Sequence, residues 1–233
     1  MFYLEDAKME PPCQEQKEKL LQVCAVVPTL NPAHLLPPLL AQLAGLGEVI
    51  LADGGSAQPP KGGRLIAAPP GRGAQLAAGA AAAQGDWLLF LHADTRLGLG
   101  WEQAVCTAMK TPDHAAYFQF ALDDASPEAR RLEAMVAWRC RWFALPYGDQ
   151  GLLISSALYK EVGGFQPIPL MEDVDLIRRL GRARLTALPV RAFTSAERWR
   201  REGWWARSAR NLGILTLWFL GAAPSWLARL YGK

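Results

Sequence analysis

The first half of the chain alternates between short apolar runs and longer stretches bordered by Gly or Pro. The apolar runs lie at residues 23–27, 48–53, 64–68 and 87–91. An apolar run of about four to eight residues between turn formers is typical of a strand that is covered on both faces. The pattern therefore predicts four buried strands in this half of the chain.

Two helical stretches separate these strands. The first covers about residues 33–46, and the second begins at the Gly71–Gly73 turn and continues to about residue 84. Strands that alternate with helices predict a parallel, right-handed α/β sheet. Pro28 is expected to stop the first strand and Asp53 to end the second. Polar residues that follow the strands then share one edge of the sheet.

The second half predicts a strand in "AAYFQFALDD", a helix with Ser126 as its N-cap and Pro127 in its first turn, and a short strand in "GLLIS". A last helix is predicted between Pro169 and Gly181, with acidic residues in its first turn and arginines in its last.

The two ends of the chain differ from this middle part. Residues 1–21 lack the order of a secretory signal and are expected to form a flexible polar leader, followed by one domain over 22–196. The segment 197–233 is a tail rich in Arg and Trp, and its apolar run at 212–223 is shorter than the roughly 20 residues that a membrane-spanning helix needs. The tail is expected either to pack on the core or to lie on an anionic membrane surface.

Composition and charge narrow the class of protein. The chain has 233 residues, of which 51% are hydrophobic and 20% charged, as in a globular protein. A net charge of +3 is too small to indicate nucleic-acid binding, and ten arginines with no lysine between Arg178 and Arg210 make the C-terminal part the basic end. The four cysteines are scattered without metal spacing, so free thiols in the cytoplasm are expected.

A Gly-rich turn, "GRGAQL" at residues 71–76, opens the second helix. Leu76 stands where a dinucleotide-binding turn requires Gly or Ala, and the chain has no Walker-type loop. Arg72 nevertheless lies at a helix N-terminus, where free amide protons and the helix dipole favour a phosphate.

Carboxylates lie at the ends of elements rather than inside them, namely Asp53, Asp94, Glu172 and Asp173. A single such Asp is commonly a cap or a turn former, but several at one edge of a sheet indicate a site. Mg²⁺ is usually held by one or two carboxylates together with phosphates of its substrate. Asp94 is the candidate metal carboxylate.

An ordered series of motifs runs from about Val23 to Leu180: "VVPTLN", "ADGGS", "GRGAQLAAGAAAAQGDWLLFLHADT", "GDQG" and "GGFQPIPLMEDVDLIRRL". The series resembles the family 2 glycosyltransferases, inverting enzymes with the GT-A fold, and is most similar to the bacterial subgroup sometimes linked with arsenosugar or selenium-associated gene neighbourhoods. The resemblance implies a mostly parallel central sheet flanked by helices, with a helical C-terminal extension. It also implies transfer of a sugar from a nucleoside diphosphate, with UDP the expected nucleotide.

The resemblance implies roles for single residues. Asp53 would recognise the nucleotide base, Arg72 would lie near the diphosphate, and Asp94 would be the last acid of a DxD-type motif that binds Mg²⁺ or Mn²⁺. In "MEDVD" Asp173 would be the general base, and Glu172 beside it would be the second catalytic residue. Thr29, Asn31 and Ala93 would belong to the nucleotide site. Asp149 and Gln150 would contact the sugar and the acceptor.

Two positions depart from the family pattern. His92 stands where the first Asp of DxD is usual, and Asn31 with Pro32 stands where the family commonly has Asn-Glu. His92 can ligate Mn²⁺, hydrogen-bond the ribose or fill space, and we favour a position behind the metal ligand.

Two other functions remain open. A nucleotidyltransferase would share the metal and the sheet, although it would normally carry a Lys-bearing Gly-rich signature near its first strand. A non-catalytic nucleotide-sugar-binding module attached to a membrane would explain the tail and the missing Asp. The acceptor is not identified, and a peripheral position at the inner face of a membrane is a further expectation.

Overall fold

The computed structural model describes residues 13–32 and 35–232. In this part of the chain the strands are β1 (Val23–Thr29), β2 (Glu48–Asp53), β3 (Arg64–Ala67), β4 (Trp87–Phe90), β5 (Arg96–Leu97), β6 (Ala115–Leu122), β7 (Leu152–Ser155) and β8 (Leu185–Thr194). The helices are α1 (Gln14–Leu20), α2 (Leu36–Gln42), α3 (Arg72–Ala82), α4 (Trp101–Ala108), α5 (Pro127–Phe143), α6 (Ser156–Glu161), α7 (Glu172–Leu180), α8 (Glu197–Glu202), α9 (Trp204–Phe219) and α10 (Pro224–Tyr231).

The described strands form one mixed sheet in the order β3-β2-β1-β4-β7-β6-β8-β5. Four of its seven pairings are parallel, including those of β1 with β2 and β4, and β7 runs antiparallel to both of its neighbours. The predicted α/β class and the mostly parallel sheet are confirmed. Because β1, β2 and β4 run in the same direction, their carboxyl ends meet at one edge.

Both faces of the central strands are covered. In β1, Ala25 and Val27 belong to one apolar cluster with α2 and α4, and Cys24 and Val26 belong to another with α3 and α7. This alternation follows from the period of two along a strand, and it explains why the strand is apolar at nearly every position.

The expectation that Pro28 stops the first strand is wrong, because β1 continues to Thr29. The carbonyl of Val26 accepts a hydrogen bond from the Leu91 amide at 3.2 Å, on the side of β4. Pro28 faces the same side two residues later, where β4 has already ended. Its missing N–H therefore removes no ladder hydrogen bond.

Part of the expected flexible leader is a helix. Residues 1–12 lie outside the described part of the chain, but α1 spans Gln14–Leu20. The Cys13 amide donates to the Gln16 side chain at 2.9 Å, Lys19 pairs with Glu15 at 2.6 Å, and Leu20 is buried. Local capping and one buried contact are sufficient to dock this polar segment.

Other helix boundaries agree with the sequence. The Ser126 hydroxyl accepts from the Ala129 amide at 3.2 Å at the start of α5, and Gly181 ends α7. The helix expected at about 33–46 is observed from Leu36 to Gln42, and residues 33 and 34 are outside the described part. Helix α4 and strands β5 and β8 were not predicted.

The C-terminal segment folds back on the domain. Helices α9 and α10 bury Ile214, Leu227 and Ala228 against Leu170, and Leu215 joins the cluster beneath α7. Of the helices described, none is long and apolar enough to cross a membrane. Ile214 and Leu215 of the apolar run at 212–223 are therefore packed on the domain, whereas Leu212, Phe219 and Leu220 of the same run remain exposed.

Candidate active site

A cleft of about 340 Å³ lies where the loop after β4 meets the first turns of α3 and α7. Its volume is in the range of small-molecule sites in proteins. The side chains that line it include the charged and polar residues Arg72, His92, Asp94, Asp149, Asp173, Thr194, Glu197, Arg198, Arg201, Arg207 and Asn211. The tertiary structure thus brings together five of the residues predicted from the sequence, from four separate segments.

Arg72 is the first residue of α3 and lies at the centre of the cleft. Its Nε donates to Oε1 of Glu172, its Nη2 donates to Oδ2 of Asp173 at 3.2 Å, and its Nη1 lies 3.2 Å from Nε2 of His92. Burial opposes the charge on this side chain, but the two carboxylates outweigh burial and raise the pKa of Arg72. The guanidinium is therefore permanently charged and joins the loop after β4 to the start of α7.

His92 is neutral in this arrangement. Burial and the neighbouring Arg72 lower the pKa of His92 to about 4. Because a guanidinium can only donate, Nε2 of His92 is the acceptor and Nδ1 carries the proton. A neutral imidazole that already accepts from Arg72 fits a position behind the metal ligand.

Glu172 and Asp173 occupy the first turn of α7, and both are buried. Oδ2 of Asp173 accepts from the Gly148 amide at 2.8 Å as well as from Arg72, and Oδ1 accepts from the Val174 amide at 2.8 Å. Burial raises the pKa of Asp173, but Arg72 and the backbone amides outweigh it and hold that pKa below its usual value. Oε2 of Glu172 has no hydrogen-bond partner among the described residues.

Asp94 lies in the turn after β4, with its side chain in the cleft. One carboxylate oxygen, Oδ2, accepts from the Thr194 hydroxyl at 3.3 Å. The described residues contain no group of three or more side chains that could hold a metal ion by themselves. A single accessible carboxylate still fits Mg²⁺ or Mn²⁺, because hard cations with a phosphate substrate take most of their oxygens from that substrate and from water.

A second cluster lies at the ends of β1 and β2. Asp53 accepts from the Thr29 hydroxyl at 3.0 Å and from the amides of Gly55 and Ser56 at 3.1 and 2.8 Å. Burial raises the pKa of Asp53, but the Ser56, Thr29 and Gly55 donors outweigh it and lower that pKa. Asn31 joins the same loops, since its amide donates to the Ser56 hydroxyl at 2.7 Å.

Sequence reasoning missed Gln75, which ties this cluster to α3. Its buried side-chain amide donates to the carbonyls of Thr29 at 2.6 Å and Ala52 at 2.9 Å, at the ends of β1 and β2. The sequence signal that could have identified this residue was a polar Gln one turn after Arg72, on the face of α3 that is buried. The contact holds the N-terminal turn of the helix, and with it Arg72, over the edge of the sheet.

Asp149 and Gln150 are neighbours in one turn, but their side chains have different surroundings. Burial raises the pKa of Asp149 to about 6, and its Oδ1 accepts no hydrogen bond from the described residues. Gln150 is buried. Its side-chain Nε2 donates to the Phe118 carbonyl at 3.1 Å, and its Oε1 accepts from the Tyr147 amide at 3.2 Å. The side chain of Gln150 therefore holds the turn together and, unlike that of Asp149, does not line the cleft.

The C-terminal helices supply one wall of the cleft, which the sequence did not predict. Trp199 stacks on Trp204 with ring centroids 6.2 Å apart, and Arg207 lies over the Trp199 ring at 5.0 Å. Trp205 remains 66% exposed. Two of the three interleaved tryptophans therefore pack on the protein. The alternation of Arg and Trp in this segment was the sequence signal for this wall of the cleft.

Comparisons with known proteins give one kind of match. No protein-family model matches the chain. No curated protein matches it. Solved structures do match, among them S. aureus TarS 1-349, with 14% sequence identity, a TM-score of 0.56, and coverage of 75% of this chain and 60% of that one.

Two further matches are complexes with nucleotides. Glucosyl-3-phosphoglycerate synthase from Mycobacterium tuberculosis with Mn²⁺, UDP and glucosyl-3-phosphoglycerate has 16% identity, a TM-score of 0.52 and coverage of 80% and 76% of the two chains. GalNAc-T7 with UDP, GalNAc and Mn²⁺ has 15% identity, a TM-score of 0.53 and coverage of 76% and 44%.

The chain has the GT-A glycosyltransferase fold. At these identities the likeness establishes the fold and nothing finer, and the chain spans only 60% of TarS 1-349 and 37% of a longer TarS structure. The fold predicted from the ordered motifs is confirmed. On the GT-A fold of this chain, the candidate residues gather at the carboxyl edge of the sheet, where ligands of open α/β sheets bind.

Proposed function

We propose that this protein transfers a sugar from a nucleoside diphosphate sugar, with UDP as the nucleotide, to an acceptor hydroxyl with inversion. The observation that carries the proposal is the position of Arg72, on a helix N-terminus and between the loop of Asp94 and the carboxylate of Asp173. Solved structures of the same fold contain UDP and Mn²⁺. Membership of the bacterial subgroup indicated by the motifs is part of this proposal.

The donor diphosphate would lie against Arg72 and the free amides of the first turn of α3. Both favour an anion, and together they would stabilise the charge that develops on the leaving diphosphate. Asp94 would hold Mg²⁺ or Mn²⁺ with the phosphate oxygens, and the ion would supply Lewis-acid stabilisation when bound. Thr194 orients the Asp94 carboxylate by its hydrogen bond, and His92 supports Arg72 from behind.

Proton transfer is assigned to Asp173, which is ionised at neutral pH because Arg72 and two amides lower its pKa. The acceptor oxygen would form a bond to the anomeric carbon, the bond from that carbon to the diphosphate would break, and the acceptor proton would move to Asp173. The donor phosphate competes for Arg72, which would leave the carboxylate free for this step. Glu172 keeps Arg72 in place while that exchange occurs.

The nucleoside would lie over the cluster at the ends of β1 and β2. Asp53 is assigned to the base, and Thr29 and Asn31 hold the two loops around it. Ala93, between His92 and Asp94, has no side chain beyond Cβ and leaves room for the ribose. We place the reaction in the cytoplasm, in keeping with four free cysteines in the part of the chain described.

Turnover of UDP-sugars with Mn²⁺ tests the proposal, with the released product as the readout. Release of UDP supports a transferase. Release of pyrophosphate from a sugar phosphate and UTP would instead indicate a nucleotidyltransferase, and binding of a nucleotide sugar with neither product would indicate a non-catalytic module. The anomeric configuration of the product distinguishes inversion from retention.

Peripheral contact with a membrane is a further part of the proposal. Arg198, Arg200 and Arg201 of α8, Arg210 of α9 and the ring of Trp205 are exposed. Surface attraction is worth about 1 kcal/mol for each basic residue near an anionic membrane. Flotation with liposomes of phosphatidylglycerol and phosphatidylcholine at low salt should carry the protein upward, and no flotation would exclude this contact.

A further inference from the structure

A groove of about 1050 Å³ lies between α5 and α9, next to the cleft. Six large apolar side chains on its walls are each about half exposed or more: Met135, Trp138, Phe143, Trp205, Leu212 and Phe219. Soluble proteins seldom expose so many large apolar side chains together, and such patches mark binding surfaces. The chemical mechanism proposed above uses none of these six residues, and Trp205 alone among them is assigned to the membrane contact.

The groove adjoins the cleft. Tyr147, Asp149, Trp199 and Asn211 line both of them. Arg139 supports this junction, since its guanidinium lies 3.5 Å from the centre of the Tyr147 ring and its Nε donates to the Leu145 carbonyl at 2.9 Å. A molecule in the groove therefore has one end next to the cleft that Arg72 and Asp173 line.

Two acceptor atoms at the junction lack donors. Oδ1 of Asp149 and Oδ1 of Asn211 are buried and accept no hydrogen bond from any described residue. Buried polar atoms in folded proteins are nearly always hydrogen-bonded, so an unpaired pair of acceptors beside a cleft indicates where a ligand donor belongs. A hydroxyl group is such a donor, whereas an apolar chain is not.

From these observations we infer that the acceptor is an amphiphile with a single long hydrocarbon chain, whose tail occupies the groove and whose hydroxyl-bearing head lies between Asp149 and Asn211. This inference rests on the proposed function, because it names the acceptor class for the same site. The tail gains affinity by covering the apolar walls, and each hydroxyl group of the head can donate to one of the two acceptors. The donor sugar then lies on the cleft side of the head.

Photolabelling tests the inference. Hexadecanol that carries a mid-chain diazirine is irradiated with the full-length protein in the presence of UDP and Mn²⁺, and labelled peptides are located by mass spectrometry. The expected result is saturable labelling of α5 and α9 that unlabelled hexadecanol removes and butanol does not. Labelling that does not saturate, or that lies elsewhere, overturns the inference.

The chain offers a matched pair of variants on α5. Trp138 and Trp142 are each 58% exposed, but Trp138 lines the groove and Trp142 does not. Trp138→Glu should lower labelling at least tenfold, and Trp142→Glu should leave it within twofold of the wild type. Equal losses in both would indicate adsorption to a general apolar surface, and a wild-type dimer that Trp138→Glu separates would indicate a second copy of the chain in the groove; either result overturns the inference.

A thermal shift with UDP and Mn²⁺ on the same samples separates the two proposals. A UDP-dependent shift without saturable labelling overturns the acceptor inference and leaves the proposed function standing. Saturable labelling without any nucleotide shift overturns the proposed function, and with it the assignment of this lipid as an acceptor.

Discussion

Arg72 and Asp173 are 101 positions apart in the chain, yet the Nη2 of one donates to the Oδ2 of the other at 3.2 Å. The same guanidinium also pairs with Glu172, whose side chain is only 1% exposed. One cation therefore pairs with two neighbouring carboxylates at the start of α7. The group proposed to bind the donor phosphate and the proposed base are held together before any substrate arrives.

Removal of this cation should destabilise the fold in a pH-dependent manner. Arg72→Met leaves two buried carboxylates unpaired, and the loss of one partner of a buried ion pair costs about 3 to 5 kcal/mol. In the wild type the pKa of Asp173 is lowered, so the stabilisation is present above the ordinary aspartate pKa and is lost as the pH falls through the lowered value. In the variant the Gly148 and Val174 amides still donate to Asp173, but without Arg72 they oppose burial less effectively, so the pKa of Asp173 is higher than in the wild type.

The difference in unfolding free energy between wild type and Arg72→Met should therefore be largest at neutral pH and shrink below about pH 4. Urea denaturation at several pH values measures it. Arg184→Met, which removes an exposed pair with Glu161, is the control and should change stability by about 1 kcal/mol or less. A difference that stays constant with pH would contradict the ion-pair account.

Asp149 should destabilise the fold as the pH rises. Burial raises its pKa to about 6, whereas the unfolded chain releases this proton near about pH 4. Folding is therefore penalised progressively between these values, and Asp149→Asn should gain about 2 to 3 kcal/mol of stability at pH 7 but nothing at pH 3.5. Asp113→Asn, at an exposed site, serves as the control, and a destabilised Asp149→Asn at pH 7 would refute the prediction.

Nucleotide binding should require a divalent cation. UDP at 100 times its Kd should stabilise the fold by about 2.7 kcal/mol with Mn²⁺ present, and the shift should be small with a chelator. Asp94→Asn should remove the dependence on Mn²⁺, while Asp113→Asn should retain it. Equal thermal shifts of the wild type with and without chelator would exclude the metal role of Asp94.

Transfer should depend on Asp173 more than on any other acid of α7. Asp173→Asn keeps the shape of the side chain but removes the base, so turnover should fall by about 10² to 10⁴-fold while UDP binding is kept. Glu172→Gln should have a milder effect. Asp175→Asn is a control from the same helical turn, because Asp175 pairs with Arg179 at 2.6 Å and does not line the cleft.

If Glu172→Gln were inactive and Asp173→Asn active, the assignment within this pair would be reversed. Steady-state kinetics with isothermal titration of UDP distinguish a lost chemical step from lost binding, since only the first leaves the Kd for UDP unchanged.

The C-terminal helices should be required for folding. Deletion of residues 203–233 removes the partners of Leu170 and of the cluster under α7, so the shortened chain should aggregate on gel filtration. Leu227 is fully buried and Leu230, on the same helix, is 53% exposed. Leu227→Ala should cost about 2 to 5 kcal/mol and Leu230→Ala much less, and a monomeric, UDP-binding deletion variant would show that the tail is dispensable.

The elements that carry Arg72, Asp94 and Asp173 were predictable because their signals are local. Buried runs such as Trp87–Phe90, the Ser126 cap and the Gly181 stop depend on residues close in sequence. The position of Arg72 at a helix start and of Asp94 after a strand follows from the same local patterns. The sequence by itself therefore determined the fold class and which of these residues lie at the carboxyl edge of the sheet.

Only the tertiary structure decided how those residues pair. The ion pair of Arg72 with Asp173, the bridge that Gln75 makes between β1 and β2, and the inward side chain of Gln150 depend on contacts across long stretches of chain. The tail could pack or lie on a membrane by its pattern alone, because an amphipathic helix suits both surroundings. The tail packs as a wall of the cleft because the apolar surface around Leu170 is available to cover it, and no local sequence pattern encodes that surface.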